Sequence, residues 1–342
     1  MKKALVAMSG GVDSTAVLLM LRRAGYDADG VMMSLLAPDA TAIRDAKAAA
    51  ERLGAKLHIL QLEDEFKRLV VDEFVSEYKH CRTPNPCVLC NIRMKFGLLV
   101  DFAKENGYDC LATGHYARLE ESGGRYFLKK AADLKKDQSY VLYGIRRELL
   151  PFLRFPLGNS DKDSTRAMLD KESFSNAHRK DSQDICFIQN GKYAEFIEEY
   201  SGTSFPCGEF CDMSGRVLGE HKGLIRYTIG QRKGLGLALP APMYVCRLDS
   251  ECNRVWLGFN DDLFSKRLVA DDVNILVPDG ICDGMRVSAR TRYNMTEQPA
   301  RVFNDENGRI TVEFDSPQRA ITPGQSVVLY DGDIVVGGGR IV

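Results

Sequence analysis

Apolar and polar positions follow one rhythm in the first half of this chain and another in the second. Residues 4–8 are an unbroken apolar run, as in a strand buried on both faces, and residues 15–23 place apolar side chains at helical spacing. A turn over 25–30, an apolar run at 31–36, a helical pattern at 42–53 stopped by Gly54, and a third run at 57–62 repeat the unit. That order predicts an α/β domain with a parallel sheet covered by helices on both faces. The helical pattern of 65–78 then meets His80-Cys81-Arg82-Thr83-Pro84-Asn85-Pro86, where two prolines predict a loop, with helix resuming near Ile92. A short strand over 108–113 ends at Gly114-His115, at the carboxyl edge where open α/β sheets bind ligands.

From Gly208 onward the pattern shortens to β-like runs between glycine-rich turns, at 219–223, 230–236, 244–248, 255–258, 287–291, 310–314, 326–330 and 334–336. The expected organisation is a catalytic α/β domain over 1–200, a small β-rich middle domain over 201–263 and a C-terminal β-barrel over 264–342. A length of 342 residues suits several cores better than one, and 44% hydrophobic with 27% charged residues is ordinary for a globular protein. The apolar stretches fall far short of the ~20 residues of a membrane span. Ser9-Gly10-Gly11 also interrupts any signal-peptide core, so no membrane association and a cytoplasmic location are expected. A net charge of −1 excludes a uniformly basic nucleic-acid binder but leaves local patches. Residues 125–147 hold seven basic side chains against two acidic ones, and 222–234 hold four with none opposed. Both are candidate phosphate tracks.

The chemistry starts at Ser9-Gly10-Gly11-Val12-Asp13-Ser14, between the first strand and the first helix. Two glycines allow a tight turn with N–H groups pointing inward, and the helix N-terminus adds partial positive charge, which together make an anion cradle. Ser9 and Ser14 can add hydroxyl donors, Ser14 can cap the helix, and Asp13 can hold the Mg²⁺ that accompanies a nucleotide. No lysine precedes Ser14, so the loop is not a Walker A motif. It resembles instead the PP-loop of ATP pyrophosphatases, which implies cleavage of ATP between its α- and β-phosphates to adenylate a carbonyl oxygen.

Two cysteine neighbourhoods could supply sulfur: Thr83-Pro84-Asn85-Pro86-Cys87-Val88-Leu89-Cys90-Asn91 and Asp181-Ser182-Gln183-Asp184-Ile185-Cys186-Phe187-Ile188. Arg93, Arg179 and Lys180 are basic neighbours that could lower the thiol pKa there. Cys110, Cys207, Cys211, Cys246, Cys252 and Cys282 read as core residues. Taken with Gly114-His115-Tyr116, Lys136-Asp137-Gln138-Ser139, Gly230-Gln231-Arg232-Lys233-Gly234-Leu235-Gly236, Thr291-Arg292-Tyr293 and Thr322-Pro323-Gly324-Gln325, these motifs resemble, in order and from end to end, the tRNA 2-thiouridylase (MnmA/TrmU) family.

That resemblance implies ATP-dependent adenylation of O2 of the wobble uridine, position 34 of the tRNA anticodon loop, followed by replacement with sulfur delivered by a donor or relay protein. It implies an ATP site at Ala7, Met8, Ser9, Gly10, Gly11, Val12, Asp13 and Ser14 with Met33 and Gly114. Cys186 corresponds to the persulfide carrier and Cys90 to the partner that can form a disulfide with it. His115, Lys136, Asp137, Gln138, Arg292, Tyr293 and Gln325 correspond to tRNA contacts, with Tyr116 and Tyr293 as possible stackers for the extruded base. Many members of the family carry Asp where this chain has Cys87. Cys87, Cys90 and Cys186 then offer three thiolates, enough for a [4Fe–4S] cluster with one open iron as the alternative to a persulfide. A zinc site adding Cys81 is a further option.

Overall fold

The computed structural model describes residues 1–36, 40–174, 185–188 and 191–342. Five parallel strands form the first sheet, in the spatial order Leu57–Gln61, Asp27–Ser34, Lys3–Met8, Cys110–Ala112 and Leu153–Arg154. The chain winds outward from Lys3–Met8 to one edge and then crosses to the other side. The switch point therefore lies between Lys3–Met8 and Cys110–Ala112, and the loops leaving these two strands are the ones that begin at Ser9 and Thr113. Alternate residues of the central strand serve opposite faces. Ala4 and Val6 pack with Ala16, Leu18 and Ala46 of the helices Val12–Arg23 and Ala40–Arg52, whereas Leu5 packs with Phe96, Leu99 and Tyr140 on the other side.

Two local expectations change. The second strand starts at Asp27, not at residue 31, because it pairs with Lys3–Met8 along the whole length of that strand, and this non-local pairing overrides the turn propensity of 25–30. The expected loop over 80–86 ends one residue early: Asn85 caps a helix by accepting from the Cys87 N–H at 2.8 Å, and Pro86 occupies its first position, where a proline costs nothing. The helix Pro86–Cys90 continues in the wider winding of Asn91–Leu98 and then Leu99–Glu105, so Cys87 and Cys90 stand one helical turn apart.

Downstream, a four-stranded sheet in the order Tyr244–Asp249, Arg254–Gly258, Gly208–Asp212, Val217–His221 packs around Phe210, Tyr227, Val245 and Leu257. The run at 230–236 forms no strand; glycines with positive φ at 230, 234 and 236 make it a looped segment. Six antiparallel strands, Phe264–Ile275, Ile310–Arg319, Gln298–Asn304, Met285–Arg290, Ser326–Asp331 and Ile334–Ile341, then close into a barrel when the first pairs with the last at Ala270 and Ile341. An α/β domain, a β middle domain and a C-terminal barrel are thus all present.

One connection was not legible. The hairpin Ala117–Ser122/Arg125–Lys130 leaves the α/β domain and joins the barrel's sheet, with Lys129 opposite Ile334. Its cations are used there: Arg125 pairs with Asp279, Lys129 with Glu120 and Asp333, and Lys130 with Glu297, while Arg147 donates to the carbonyls of Val277 and Pro278. The basic run of 125–147 is therefore mostly a seam between domains, not an open phosphate track. Among the described residues no helix is long and apolar enough to cross a membrane.

Candidate active site

Gly10 has φ +71°, and a Cβ there would stand 2.4 Å from the carbonyl oxygen of Ala42, so the turn needs glycine twice over. Gly11 is the N-cap of the helix Val12–Arg23, and no side chain caps that helix start. Ser14 does not cap it as expected. Its hydroxyl accepts from the Ser9 N–H at 3.2 Å and donates to the Gly11 carbonyl at 3.2 Å, which closes the loop on itself and leaves the helix start facing outward for an anion. The Val12 side chain is buried in the core, so only its main chain can serve a nucleotide. Gly114 walls the loop: a Cβ on it would lie 2.9 Å from that of Asp13.

Asp13 meets a built-in cation where a magnesium site was expected. Lys162 Nζ lies 2.9 and 2.8 Å from its two oxygens, and the Tyr116 hydroxyl donates to Oδ1 at 2.9 Å. Lys162 heads the helix Lys162–Lys171 and is almost wholly buried, so its charge is committed to this carboxylate. Tyr116 is buried too, and a base cannot stack on it. Replacing Lys162 by Met will leave the Asp13 charge uncompensated beside the incoming phosphates. We expect the KM for ATP to rise about tenfold or more, on the scale of a charge-assisted hydrogen bond worth roughly 2 kcal/mol, with Asp13→Asn in the same chain recovering part of the loss; steady-state kinetics of pyrophosphate release measure both.

Beside the loop lies a cavity of about 660 Å³. Met8 and Ser9 reach it from the end of the first strand, Met33 from the second, Cys87, Cys90 and Lys95 from the helical segment 86–98, and Cys186 from the segment 185–188. Ile43, Ile59, Phe66, Val70 and Phe187 make much of the rest of its wall apolar. Thus Cys90 and Cys186, nearly a hundred residues apart in sequence, share one chamber with the edge of the phosphate loop.

The thiols are less acidic than their basic neighbours in sequence suggested. Burial pushes Cys87 and Cys90 up, with Lys95 opposing. Cys186 keeps a solvent-open surface, yet desolvation, then Cys90 and Cys87, push its thiol up to about 11. Arg93 lines a different cavity, of about 530 Å³, and Arg179 and Lys180 lie outside the described residues, as does 181–184 of the Cys186 motif. All ten cysteines are free thiols. Cys110 and Cys211 are core residues as expected and Cys246 is half-buried, but Cys207, Cys252 and Cys282 lie at the surface.

Three family sequence models match in succession: a tRNA methyl transferase HUP domain over residues 2–190, a tRNA methyl transferase PRC-barrel domain over 194–259 and an aminomethyltransferase beta-barrel domain over 265–341. A tRNA-specific 2-thiouridylase MnmA of Acetivibrio thermocellus is 43% identical, over 99% of this chain and 99% of its own. Those of Clostridioides difficile (42%) and Thermoanaerobacter sp. (44%) also match 99% of this chain, over 98% and 97% of their own lengths. The chain belongs to the tRNA-specific 2-thiouridylase family.

Within a 2-thiouridylase framework, the residues expected from the family resemblance to touch tRNA turn their side chains inward. His115 is buried with both ring nitrogens engaged, Nδ1 with Thr113 Oγ1 at 2.7 Å and Nε2 with Lys95 Nζ at 3.4 Å. Asp137 accepts from the Ala131 and Ser139 N–H groups and pairs with Arg290, and Gln138 accepts the Tyr116 N–H at 2.9 Å. Arg292 donates to the carbonyls of Ile229 and Ala320 and to Thr322. Tyr293 packs edge-on against Tyr140, and its hydroxyl reaches the Asp137 carbonyl at 3.5 Å. Lys136 is half-buried. These side chains build a wall; the exposed cations without an ion pair among the described residues include Lys135, Lys222, Arg232 and Lys233.

Gln325 has the most specific task in that wall. Its amide donates to the Thr83 carbonyl at 2.7 Å while the Thr83 N–H donates to the Pro323 carbonyl at 2.8 Å, so the barrel grips the strand of chain that leads into Pro86–Cys90 from both sides. Gln325→Ala will therefore loosen the cysteine helix. We expect about a tenfold fall in thiolation rate with tRNA affinity changed less than threefold, read by single-turnover assay and filter binding.

Among the described residues no group of three Cys, His, Asp or Glu side chains is placed to hold a metal ion, so the arrangement lends no support to a [4Fe–4S] cluster or a zinc ion at Cys87, Cys90 and Cys186. Two residues of the site carry less sequence signal than the rest. Lys95 follows Cys90 by five positions, one turn of the widened helix, but the prolines hid the helix start. Lys162 carries no local signal, since its partner is far away in sequence.

Proposed function

We propose that the chain is an ATP-dependent tRNA-uridine 2-sulfurtransferase that modifies the wobble uridine at position 34. The observation that carries this reading is the single cavity in which the phosphate loop's Ser9 faces Cys87, Cys90 and Cys186. Two of the matched family models bear the name of a methyl transferase, but three thiols beside an anion cradle suit activation by ATP and delivery of sulfur.

ATP binds with its phosphates at the Gly11–Ser14 helix start, with Mg²⁺ accompanying it, and Met33 and Gly114 border the site. The uridine, splayed from the anticodon loop into the apolar cavity, attacks the α-phosphate through O2; the new O2–P bond forms, pyrophosphate leaves and N3 loses its proton to water. A persulfide on Cys186, loaded by a persulfide-bearing donor protein, attacks C2 through its terminal sulfur, and AMP leaves with the electrons of the C2–O2 bond. The Cys90 thiolate then attacks Cys186 Sγ, forming a Cys90–Cys186 disulfide and releasing 2-thiouridine, which regains a proton at N3. A thiol reductant reopens the disulfide for the next turnover. Lys136, Asp137, Gln138, Arg292, Tyr293 and Gln325 shape the wall behind the cysteines, and exposed cations such as Arg232 and Lys233 hold phosphates. The cytoplasm, with its tRNA, ATP and reducing thiols, is the compartment this chemistry needs.

The test is direct. The purified chain, unmodified tRNA, ATP with Mg²⁺, a persulfide donor and a thiol reductant should yield 2-thiouridine at position 34 in nucleoside mass spectrometry, dependent on ATP. Formation of a methylated base, or thiolation without ATP, would overturn the reading.

A further inference from the structure

Lys95 is the cation that faces the sulfur chemistry from inside the cavity. It lines the chamber together with Cys87, Cys90 and Cys186, and its charge acts on all three thiols. Two features of the fold put it there. The segment Asn91–Leu98 winds more widely than an α-helix, so the residue five beyond Cys90 returns to the cavity side. The ammonium is then anchored from behind: Lys95 Nζ donates to Nε2 of His115 at 3.4 Å, and His115 Nδ1 pairs with Thr113 Oγ1 at 2.7 Å. Both Thr113 and His115 are buried at the carboxyl end of the strand Cys110–Ala112, beside the phosphate loop, and the ring packs against Phe96 and Phe155. Burial and the Lys95 charge keep the imidazole neutral, so it accepts from the ammonium and does not compete with it for the sulfur.

We propose that Lys95 is a further catalytic residue, specific to the sulfur-transfer half of the reaction, whose ammonium balances the negative charge on the attacking persulfide sulfur and then on the Cys90 thiolate. This rests on the thiolation reading above. Lys95 exchanges no proton in either step. As the C2–S bond forms and the C2–O2 bond breaks, the negative charge passes from the persulfide to departing AMP; as Cys90 attacks Cys186 Sγ, it passes from the Cys90 thiolate to the released base. An apolar chamber whose surroundings push its thiols toward the protonated form needs such a fixed cation, because an unpaired anion in low dielectric is costly.

The experiment separates the half-reactions. With the full chain, unmodified tRNA and ATP, tRNA-dependent pyrophosphate release reads adenylation, and mass spectrometry after addition of a persulfide donor reads sulfur transfer. Lys95→Met should keep pyrophosphate release within about threefold of wild type and slow 2-thiouridine formation about 100-fold or more, with Lys95→Arg restoring at least a tenth of the lost rate. Capture of Cys90 and Cys186 by iodoacetamide at pH 8, without tRNA or ATP, should slow about fivefold or more in Lys95→Met and recover in Lys95→Arg. Thiolation by Lys95→Met at the wild-type rate would overturn the proposal. So would a loss of pyrophosphate release equal to the loss of thiolation, which would put Lys95 at the phosphates. A wild-type chain that makes no 2-thiouridine at all would count against the proposed function, whereas a wild type that thiolates beside an unimpaired Lys95→Met counts against Lys95 alone. A Lys95→Met chain with a melting temperature matching wild type excludes a folding defect.

Discussion

Cys186→Ser will abolish 2-thiouridine formation, by on the order of 10³-fold or more, while tRNA-dependent pyrophosphate release continues. The split follows from the geometry. The phosphate loop closes through Ser9, Gly11 and Ser14 without help from any cysteine, so adenylation survives the loss of the thiol. Cys186 lines the same chamber as Cys90, and serine cannot carry a sulfane sulfur. Cys90→Ser should fail later. With the attack on Cys186 removed, the base stays tethered to Cys186 through a disulfide, visible as a tRNA–protein adduct that dithiothreitol dissolves. Acidity adds a check. Because the Cys186 thiol is pushed up to about 11, its alkylation should speed up about tenfold per pH unit between 7 and 10. A profile that levels off near pH 8 would refute the raised pKa of Cys186. Pyrophosphate release lost along with thiolation in Cys186→Ser would refute the division of labour between loop and cysteine.

Much of this site could be read from sequence because its parts carry local signals. The six residues Ser9–Ser14 suggest a phosphate cradle by composition and by their place between a strand and a helix, and the structure does place them in such a strand-to-helix turn. Cys90 and Cys186 stood out among ten cysteines through their neighbours, and they do share one chamber. What stayed hidden depends on distant partners. Lys162 matters only because folding brings it to Asp13, and nothing within ten residues of either position says so. The hairpin at 117–130 alternates like any other; that it belongs to the barrel's sheet is decided by Ile334. Prolines misled in one place because Pro86 is a helix breaker within a helix and a helix starter at its first turn, and the capping contact from Asn85 that decides between them is a single hydrogen bond. The residues that the family resemblance suggested as tRNA contacts, such as Arg292 and Gln325, proved to be held by main-chain carbonyls far away in sequence, which no local pattern announces.

The second large effect is expected from one methyl group. Gly10→Ala will reduce ATP-dependent pyrophosphate release by about 100-fold or more and lower the melting temperature by several degrees, while Gly54→Ala, at a similar positive φ, will do little to activity. Both glycines have left-handed backbones, +71° and +64°, so each alanine carries a conformational cost of about 1 kcal/mol. They differ in what the new Cβ meets. At Gly54 there is nothing within 4 Å, whereas at Gly10 the Cβ would overlap the main-chain carbonyl of Ala42, at 2.4 Å, with Cα and C at 3.0 Å. Backbone of the helix Ala40–Arg52 cannot rotate away as a side chain could, so either that helix retreats from the first strand or the loop opens. Retreat would uncover Ala42 and Ala46, which pack in the same core as Val12 and Ala16, and is the more costly movement. The loop will therefore give way, carrying Gly11 and the helix start out of register with the phosphates. Isothermal titration with ATP and a melting curve on both variants test this: Gly10→Ala should lose ATP binding with most of its stability intact, and equal ATP affinities in the two variants would show that the close approach of Ala42 does not set the shape of the loop.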